Sequence, residues 1–113
     1  MTTSGITIST HVLDTSIGAP AAGIAVHLEG VSNAVIATAE TNADGRISAF
    51  PVTGDMEAGK YRLCFDVAPY FASMAVKSFY NEICIAFEVS EGPQHYHVPL
   101  LLSPYGYSTY RGS

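Results

Sequence analysis

Three groups of residues in this chain carry side chains suited to acid-base or electrostatic chemistry. His11 lies in a stretch where apolar and polar residues alternate, Arg46 directly follows an Asp-Gly pair, and His95-Tyr96-His97 places two imidazoles two residues apart. Because side chains alternate across an extended strand, His95 and His97 share one face and Tyr96 takes the other. An imidazole titrating near neutrality and a permanently charged guanidinium can move protons and stabilise negative charge. The pattern therefore favours a site built from histidine and arginine.

Each of these residues also has an ordinary structural explanation. His11 taken alone is typical of a solvated histidine on a strand, surface arginines such as Arg46 are common, and a purely structural role is favoured for His95. A zinc site could join His95 and His97 to His11. Zinc requires three or four ligands, however, and His27 belongs to another strand, so we favour a metal-free acid-base role and expect no bound metal.

Strands dominate the elements predicted to carry these residues. Short runs rich in Val, Ile, Thr, Tyr and Phe, separated by Gly, Pro, Asn and Asp, are typical of an all-β sandwich or barrel. The Asp44-Gly45 pair favours a tight turn with positive φ angles, which Arg46 leaves directly. We expect one domain over residues 1–113, with a loop over residues 13–22 and a short helix over residues 69–77. The predicted strands cover residues 6–12, 23–28, 35–41, 47–50, 60–67, 82–89, 95–102 and 107–111.

Charge and composition argue against several classes of partner. The net charge is −5, and the five Lys and Arg residues form no basic stripe, so neither nucleic acid nor an anionic membrane is an expected partner. The first residues lack the features of a secretory signal and no apolar stretch could span a bilayer, which predicts a cytoplasmic protein, with periplasmic and peroxisomal locations left open. With only 13% charged residues, the chain is expected to bury apolar surface between subunits.

The two cysteines of the chain, Cys64 and Cys84, lie in apolar strand-like runs. A cysteine in such a run usually behaves as a small buried hydrophobe. Neither a Cys-x-x-Cys spacing nor a secretory signal favours a disulfide. We therefore expect both cysteines to be free and assign them no function.

Several segments, read in order along the chain, together resemble the 5-hydroxyisourate hydrolases of the transthyretin-like family. The resemblance extends from about Ile6 to the last residue, and its visible departure is Asn81, where the family pattern has proline. The ending, Tyr-Arg-Gly-Ser, is its most specific part. The segments that carry it are Thr-His-Val-Leu-Asp-Thr at 10–15, Thr-Asn-Ala-Asp-Gly-Arg at 41–46, His-Tyr-His-Val-Pro-Leu-Leu-Leu-Ser-Pro at 95–104 and Tyr-Arg-Gly-Ser at 110–113.

The resemblance implies a fold, an assembly and an activity. The implied fold is an all-β, transthyretin-like sandwich of two four-stranded sheets with one short helix after the fifth strand. The implied assembly is a homotetramer, a dimer of dimers with active sites in the clefts where dimers face one another. The implied activity is hydrolysis of 5-hydroxyisourate, in urate degradation, by activated water and without a cofactor.

The resemblance also implies a set of site residues. His97 is expected to be the general base, oriented by the hydroxyl or the terminal carboxylate of Ser113, although the choice of histidine stays open. The alternative is a non-catalytic, transthyretin-like carrier of a small hydrophobic ligand, against which the histidines and the Tyr-Arg-Gly-Ser ending argue. The implied residues are His11, Arg46, His97 and Ser113 as catalytic groups, and His11, Arg46 and Tyr110 as substrate contacts.

Overall fold

A computed structural model describes residues 5–113 as strands in two sheets with one short helix. Among these residues, no helix is long and apolar enough to cross a membrane. The first sheet has the order β10-β9-β1-β2, with β5 and β8 also paired to β1, and the second has the order β4-β3-β6-β7. This arrangement confirms the predicted all-β sandwich. The elements are β1 (Ile6–Asp14), β2 (Ala19–Pro20), β3 (Ala25–Glu29), β4 (Val35–Glu40), β5 (Arg46–Ile47), β6 (Gly59–Asp66), α1 (Ala68–Ser73), β7 (Glu82–Val89), β8 (Gln94–His97), β9 (Leu100–Ser103) and β10 (Gly106–Thr109).

Several predicted boundaries in the first sheet are wrong. β1 continues to Asp14 and Ala19–Pro20 pairs back onto it, where a loop was expected. The run over 95–102 forms two strands, β8 and β9, because Pro99 lacks the N–H that a continuous ladder requires. The strand expected at 47–50 is reduced to the two residues of β5. The first sheet therefore contains six strands, while the second has the predicted four.

The helix α1 is shorter than the predicted 69–77 and follows the sixth strand, because the two-residue β2 adds one to the count. Its first turn contains a proline, as expected for a residue without an N–H to satisfy. Ala75, just after the helix, has a φ of 55°. Since this left-handed conformation cannot continue a right-handed helix, it fixes the end of the element.

The core lies between the inner faces of the two sheets. Alternate residues point inward along each strand, and the aliphatic and aromatic ones are almost fully enclosed. The outer face of each sheet is therefore free to carry polar side chains. The largest of the enclosed side chains include Ile8 and Val12 of β1, Leu28 of β3, Leu63 and Phe65 of β6, and Ile83 of β7.

Cys64 and Cys84 form a disulfide, so the expectation of two free cysteines is wrong. The two residues lie directly opposite each other on the antiparallel strands β6 and β7, and their Cα atoms are 4.1 Å apart. This distance is that of a close cross-strand pair. The sequence did not reveal the bond because the pairing joins residues 20 positions apart and depends on the register of the two strands.

The predicted tight turn before Arg46 is confirmed. The Asn42 side-chain oxygen accepts hydrogen bonds from the backbone N–H groups of Asp44 (2.9 Å) and Arg46 (3.0 Å). Gly45 has a φ of 73°, and a Cβ atom there would collide with the backbone oxygen of Val12. Only glycine therefore fits this position, and the turn fixes where the arginine begins its strand.

We predict that Gly45→Ala destabilises the fold far more than Gly18→Ala. Both glycines have positive φ angles, 73° and 64°, but a Cβ at Gly18 would meet nothing within 4 Å. Gly18→Ala should lower the free energy of unfolding by about 1–2 kcal/mol, from backbone conformation alone. Gly45→Ala adds a steric collision and should cost at least about 3 kcal/mol. Urea denaturation followed by circular dichroism would measure both, and equal losses would contradict the steric argument.

Candidate active site

The strand β1 aligns most of the candidate residues. On one edge it pairs in parallel with β8, which places Ser9 opposite His97, and it pairs antiparallel with β5, which places His11 opposite Arg46. Directly paired residues project to the same face of a sheet, and so do alternate residues of one strand. Since the neighbouring Ile8 faces the core, these four side chains share the outer face of the first sheet.

The last residues of the chain reach the same face. Gly112 forms a bridge with His97, and its N–H donates to the His97 carbonyl oxygen at 2.8 Å. A Cβ on Gly112 would lie 2.5 Å from Cδ2 of the imidazole, so only glycine allows the chain to pass this close to the ring. The bridge brings Ser113 into one cavity with His97 and Arg46.

This cavity has a volume of about 280 Å³, which is of the order expected for a site that binds a small heterocycle. His11 is placed beside it through its pairing with Arg46. Tyr110 lies elsewhere: it is 57% exposed and lines a separate groove with Tyr96 and Arg111. Within the single chain, three of the five predicted site residues therefore line one cavity. Its lining consists of Ser9, Thr10, Arg46, Ile47, Ser48, His95, His97 and Ser113.

A chain of hydrogen bonds runs along the outer face and ends at His97. Thr7 Oγ1 lies 2.6 Å from His95 Nδ1, and Ser9 Oγ lies 2.8 Å from His95 Nε2 and 2.7 Å from His97 Nδ1. Ser9 was not among the residues predicted for the site, and His95 was expected to have only a structural role. The signal that could have found the pair was the shared period of two, which puts Thr7 and Ser9 on the face of His11.

The hydrogen-bond chain can run in two directions without any change of charge. In one, His95 donates from Nδ1 to Thr7, Ser9 donates to His95 Nε2, and His97 donates from Nδ1 to Ser9. His97 Nε2 then carries a free electron pair and can accept a proton. In the other direction every bond is reversed, and Nε2 carries a hydrogen instead. Ser9 thereby links the tautomer of one imidazole to that of the other.

The pKa of His97 lies below its ordinary value of 6.5. Partial burial is the largest cause, because it disfavours the charged imidazolium, and the positive charge of Arg46 acts in the same direction, as would any positive charge on His95 or His11. His97 is therefore neutral at neutral pH. A neutral imidazole with a free electron pair is the form that can act as a general base.

Among residues 5–113, the groups of side chains that could hold a metal ion lie away from this cavity. Groups of three His, Cys, Asp or Glu residues close enough to share an ion occur in this part of the chain on the second sheet, where they involve His27, Cys64 and Cys84. The histidines of the cavity do not form such a group in the described part of the chain. What the cavity offers is a neutral imidazole, a guanidinium and hydroxyl groups.

We predict that Arg46→Gln raises the pKa of His97, because it removes a positive charge that opposes protonation of the ring. The pKa should move upward toward 6.5, and Arg62→Gln should leave it unchanged. Arg62 is the matched control because it lies on β6 in the other sheet, where it pairs with Glu29. Titration of the imidazole followed by NMR would measure the effect; a lower pKa in Arg46→Gln would contradict the electrostatic assignment.

Comparison with known proteins gives a consistent result. Residues 8–112 match the HIUase/Transthyretin family. A probable 5-hydroxyisourate hydrolase from Schizosaccharomyces pombe is 45% identical, over 96% of this chain and 93% of that protein. The structure of Klebsiella pneumoniae 5-hydroxyisourate hydrolase superposes with a TM-score of 0.85 and 39% identity, covering 95% of this chain and 99% of that one. Sea bream transthyretin, in complex with thyroxine, gives a TM-score of 0.83 and 29% identity, with 93% of each chain covered. The chain belongs to the HIUase/Transthyretin family.

Proposed function

We propose that this protein hydrolyses 5-hydroxyisourate in urate degradation, opening the six-membered ring to give 2-oxo-4-hydroxy-4-carboxy-5-ureidoimidazoline. The observation that carries the proposal is the cavity where a neutral, partly buried His97 meets the guanidinium of Arg46. The names of the S. pombe relative and of the K. pneumoniae structural neighbour support the same substrate. The groups in the cavity are those that hydrolysis of a cyclic amide requires, and we expect no cofactor to be needed.

In the proposed reaction, His97 Nε2 takes a proton from water, and the resulting hydroxide attacks a ring carbonyl carbon. This step uses the direction of the hydrogen-bond chain in which Nδ1 donates to Ser9 and Nε2 is left free. Negative charge then grows on the carbonyl oxygen, where Arg46 stabilises it. The C–N bond breaks as the imidazolium returns its proton to the leaving nitrogen, and the resulting carboxylic acid loses its remaining proton to solvent to give the carboxylate.

The positive charge of Arg46 has two effects in this cycle. It stabilises the oxyanion, and it also opposes accumulation of the His97 imidazolium. A base with a lowered pKa holds its proton weakly, which favours its transfer to the leaving nitrogen. We assign Ser113 to positioning of the His97 side chain, and His11, beside Arg46, to proton transfer or substrate positioning.

We further propose that four copies assemble as a dimer of dimers. Both sheets end in strands with one unpaired edge among the described residues, β7 in one sheet and β10 in the other, and such edges favour strand addition. The cavity lies on an outer face, where a second copy could close it. Tyr110 would then contact the substrate through this assembly. Exposed large apolar or aromatic side chains support a buried interface, among them Tyr105, Tyr107 and Tyr110.

The alternative function is that of a carrier for a small hydrophobic ligand. Sea bream transthyretin has the same fold and binds thyroxine, so the fold alone does not distinguish a carrier from a hydrolase. The contents of the cavity favour the hydrolase. A hydrophobic ligand would cover the Arg46 guanidinium and His97 Nε2 without offering either a hydrogen-bond partner, which costs binding energy.

We predict that the protein accelerates the decay of 5-hydroxyisourate generated freshly from urate by urate oxidase. His97→Ala should lower kcat at least about 100-fold, because a positioned general base contributes roughly 10²- to 10⁴-fold. Absorbance decay with and without protein measures the rate above spontaneous decay. Lys60→Ala, an exposed change on the other sheet, is the control and should retain full activity. If the wild-type protein does not accelerate the decay, the proposed hydrolase function is wrong. If His97→Ala is fully active, His97 is not the general base.

We predict that Ser9→Ala lowers kcat by about 10- to 100-fold with little change in KM, because the imidazole loses the hydrogen-bond partner that holds its ring in position. Ser9→Thr, which keeps a hydroxyl on a strand that tolerates β-branching, should restore most of the rate. The acid limb of the kcat/KM profile should stay in place in both variants, because Ser9 is neutral and is not among the groups that lower the pKa of His97. A Ser9→Ala variant with the wild-type kcat, or a Ser9→Thr variant as slow as Ser9→Ala, would contradict this role of Ser9.

A further inference from the structure

The outer face of the second sheet carries a cluster of metal-ligating side chains that the proposed reaction does not use. Strand register aligns Thr38, His27, Cys64 and Cys84 in one row across β4, β3, β6 and β7. Glu29 lies two residues after His27 on β3, so its side chain is on the same face. His27 Nε2 is 2.9 Å from Glu29 Oε2, and Cys64 Sγ is 3.7 Å from the same oxygen.

We propose that reduction of the Cys64–Cys84 disulfide creates a Zn²⁺ site formed by His27, Cys64, Cys84 and Glu29. Two thiolates, an imidazole and a carboxylate are a ligand set that Zn²⁺ binds in tetrahedral geometry. All four residues come from three neighbouring strands whose pairing fixes their spacing. Ligand positions held by paired strands require little rearrangement on binding.

Reduction is the step that makes the ligands available. Two external thiols transfer two electrons to the disulfide: the S–S bond breaks, the cysteines become thiols, and the external pair becomes a disulfide. Zn²⁺ binding then displaces the two thiol protons to water, because zinc is bound by thiolates. The oxidised protein retains His27 and Glu29 but has no thiolate, so it should bind the ion only weakly.

The ligand atoms of His27, Glu29 and Cys64 lie within 4.8 Å of one another, close enough to share an ion, and Cys84 would join them through its pairing with Cys64. Two atoms bound to one tetrahedral Zn²⁺ at roughly 2.0–2.3 Å lie about 3.3–3.8 Å apart. The 3.7 Å separation of Cys64 Sγ and Glu29 Oε2 already falls in this range. The His27–Glu29 hydrogen bond of 2.9 Å would open by a few tenths of an ångström as both atoms turn toward the ion.

Local charge also fits a divalent cation. The Arg62 guanidinium holds Oε1 of Glu29 at 2.8 Å, which leaves Oε2 beside His27 and Cys64. Once the two thiols have lost their protons to the bound ion, the two thiolates, Glu29 and Arg62 together carry a net charge of −2, which Zn²⁺ neutralises. Asp66 and Glu82 add further negative charge beside a cavity of about 310 Å³ that His27 lines, which gives an ion access from solvent.

Co²⁺ is the probe that tests this site, because thiolate ligation gives it a charge-transfer absorption that imidazole and carboxylate ligands do not produce. The chain contains two cysteines, so this absorption can arise only from Cys64 and Cys84. After reduction with a phosphine, the whole protein should bind one equivalent of Co²⁺. The complex should show this absorption together with the intense visible bands of tetrahedral Co²⁺. Addition of Zn²⁺ should displace the Co²⁺. The oxidised protein should show no such absorption.

Variants decide which residues are ligands. His27→Ala should weaken Co²⁺ binding at least about tenfold, as loss of a protein ligand does. Cys84→Ser should remove about half of the charge-transfer intensity. Thr38→Ala is the matched control, because Thr38 is the neighbour of His27 in the same row, and it should leave the Co²⁺ affinity and absorption unchanged. The proposal would be overturned if the reduced, folded wild type showed no thiolate absorption with Co²⁺. It would also be overturned if His27→Ala and the wild type bound Co²⁺ with the same affinity. Hydrolase activity is measured in a separate assay, so the proposed Zn²⁺ site can fail while the proposed hydrolase function stands, and the reverse.

Discussion

The whole arrangement depends on the pairing of β1 along both of its edges. The backbone oxygen of Ser9 accepts from Val98 on one edge, while the oxygens of Ile8 and Val12 accept from Phe50 and Ala21 on the other. Successive backbone groups of a strand point to opposite edges, so a shift of one residue would exchange both sets of partners and turn the inner side chains outward. The burial of Ile8 and Val12 therefore fixes which residues of β8 and β5 stand beside Ser9 and His11.

The parts of the site that depend on local sequence could be predicted, and those that depend on register could not. Asn42 and Gly45 predict the turn that precedes Arg46. The alternation of apolar and polar residues over 6–12 predicts that His11 lies on the outer face of its strand. Ser9 was missed because its importance comes from a neighbour 88 positions away. The Cys64–Cys84 bond was missed for the same reason: strand periodicity gives the face of each cysteine but not the partner opposite it.

His97 illustrates how the fold tunes a common side chain without a dedicated charged partner. Partial burial by the returning chain at Gly112 and repulsion from Arg46 both lower its pKa, and no carboxylate appears among the causes of that shift to oppose them. Ser9, by contrast, is a neutral partner, so it links the tautomer of His97 to that of His95 without adding a charge that stabilises the imidazolium. A carboxylate in its place would raise the pKa and keep the proton on the ring. A hydroxyl partner therefore suits a base that must release its proton in every cycle.

The division between inner and outer faces explains how one fold can serve a hydrolase and a carrier. Inner faces hold the core, and a polar substitution there leaves buried groups without partners. Outer faces contribute less to the core, so residues such as His97 and Arg46 can change without loss of the sandwich. Chemistry at an outer face nevertheless needs fixed distances, and the strand pairing that the core enforces supplies them. The outer face of the second sheet has the same property, since the register that aligns Cys64 with Cys84 also aligns His27 with them.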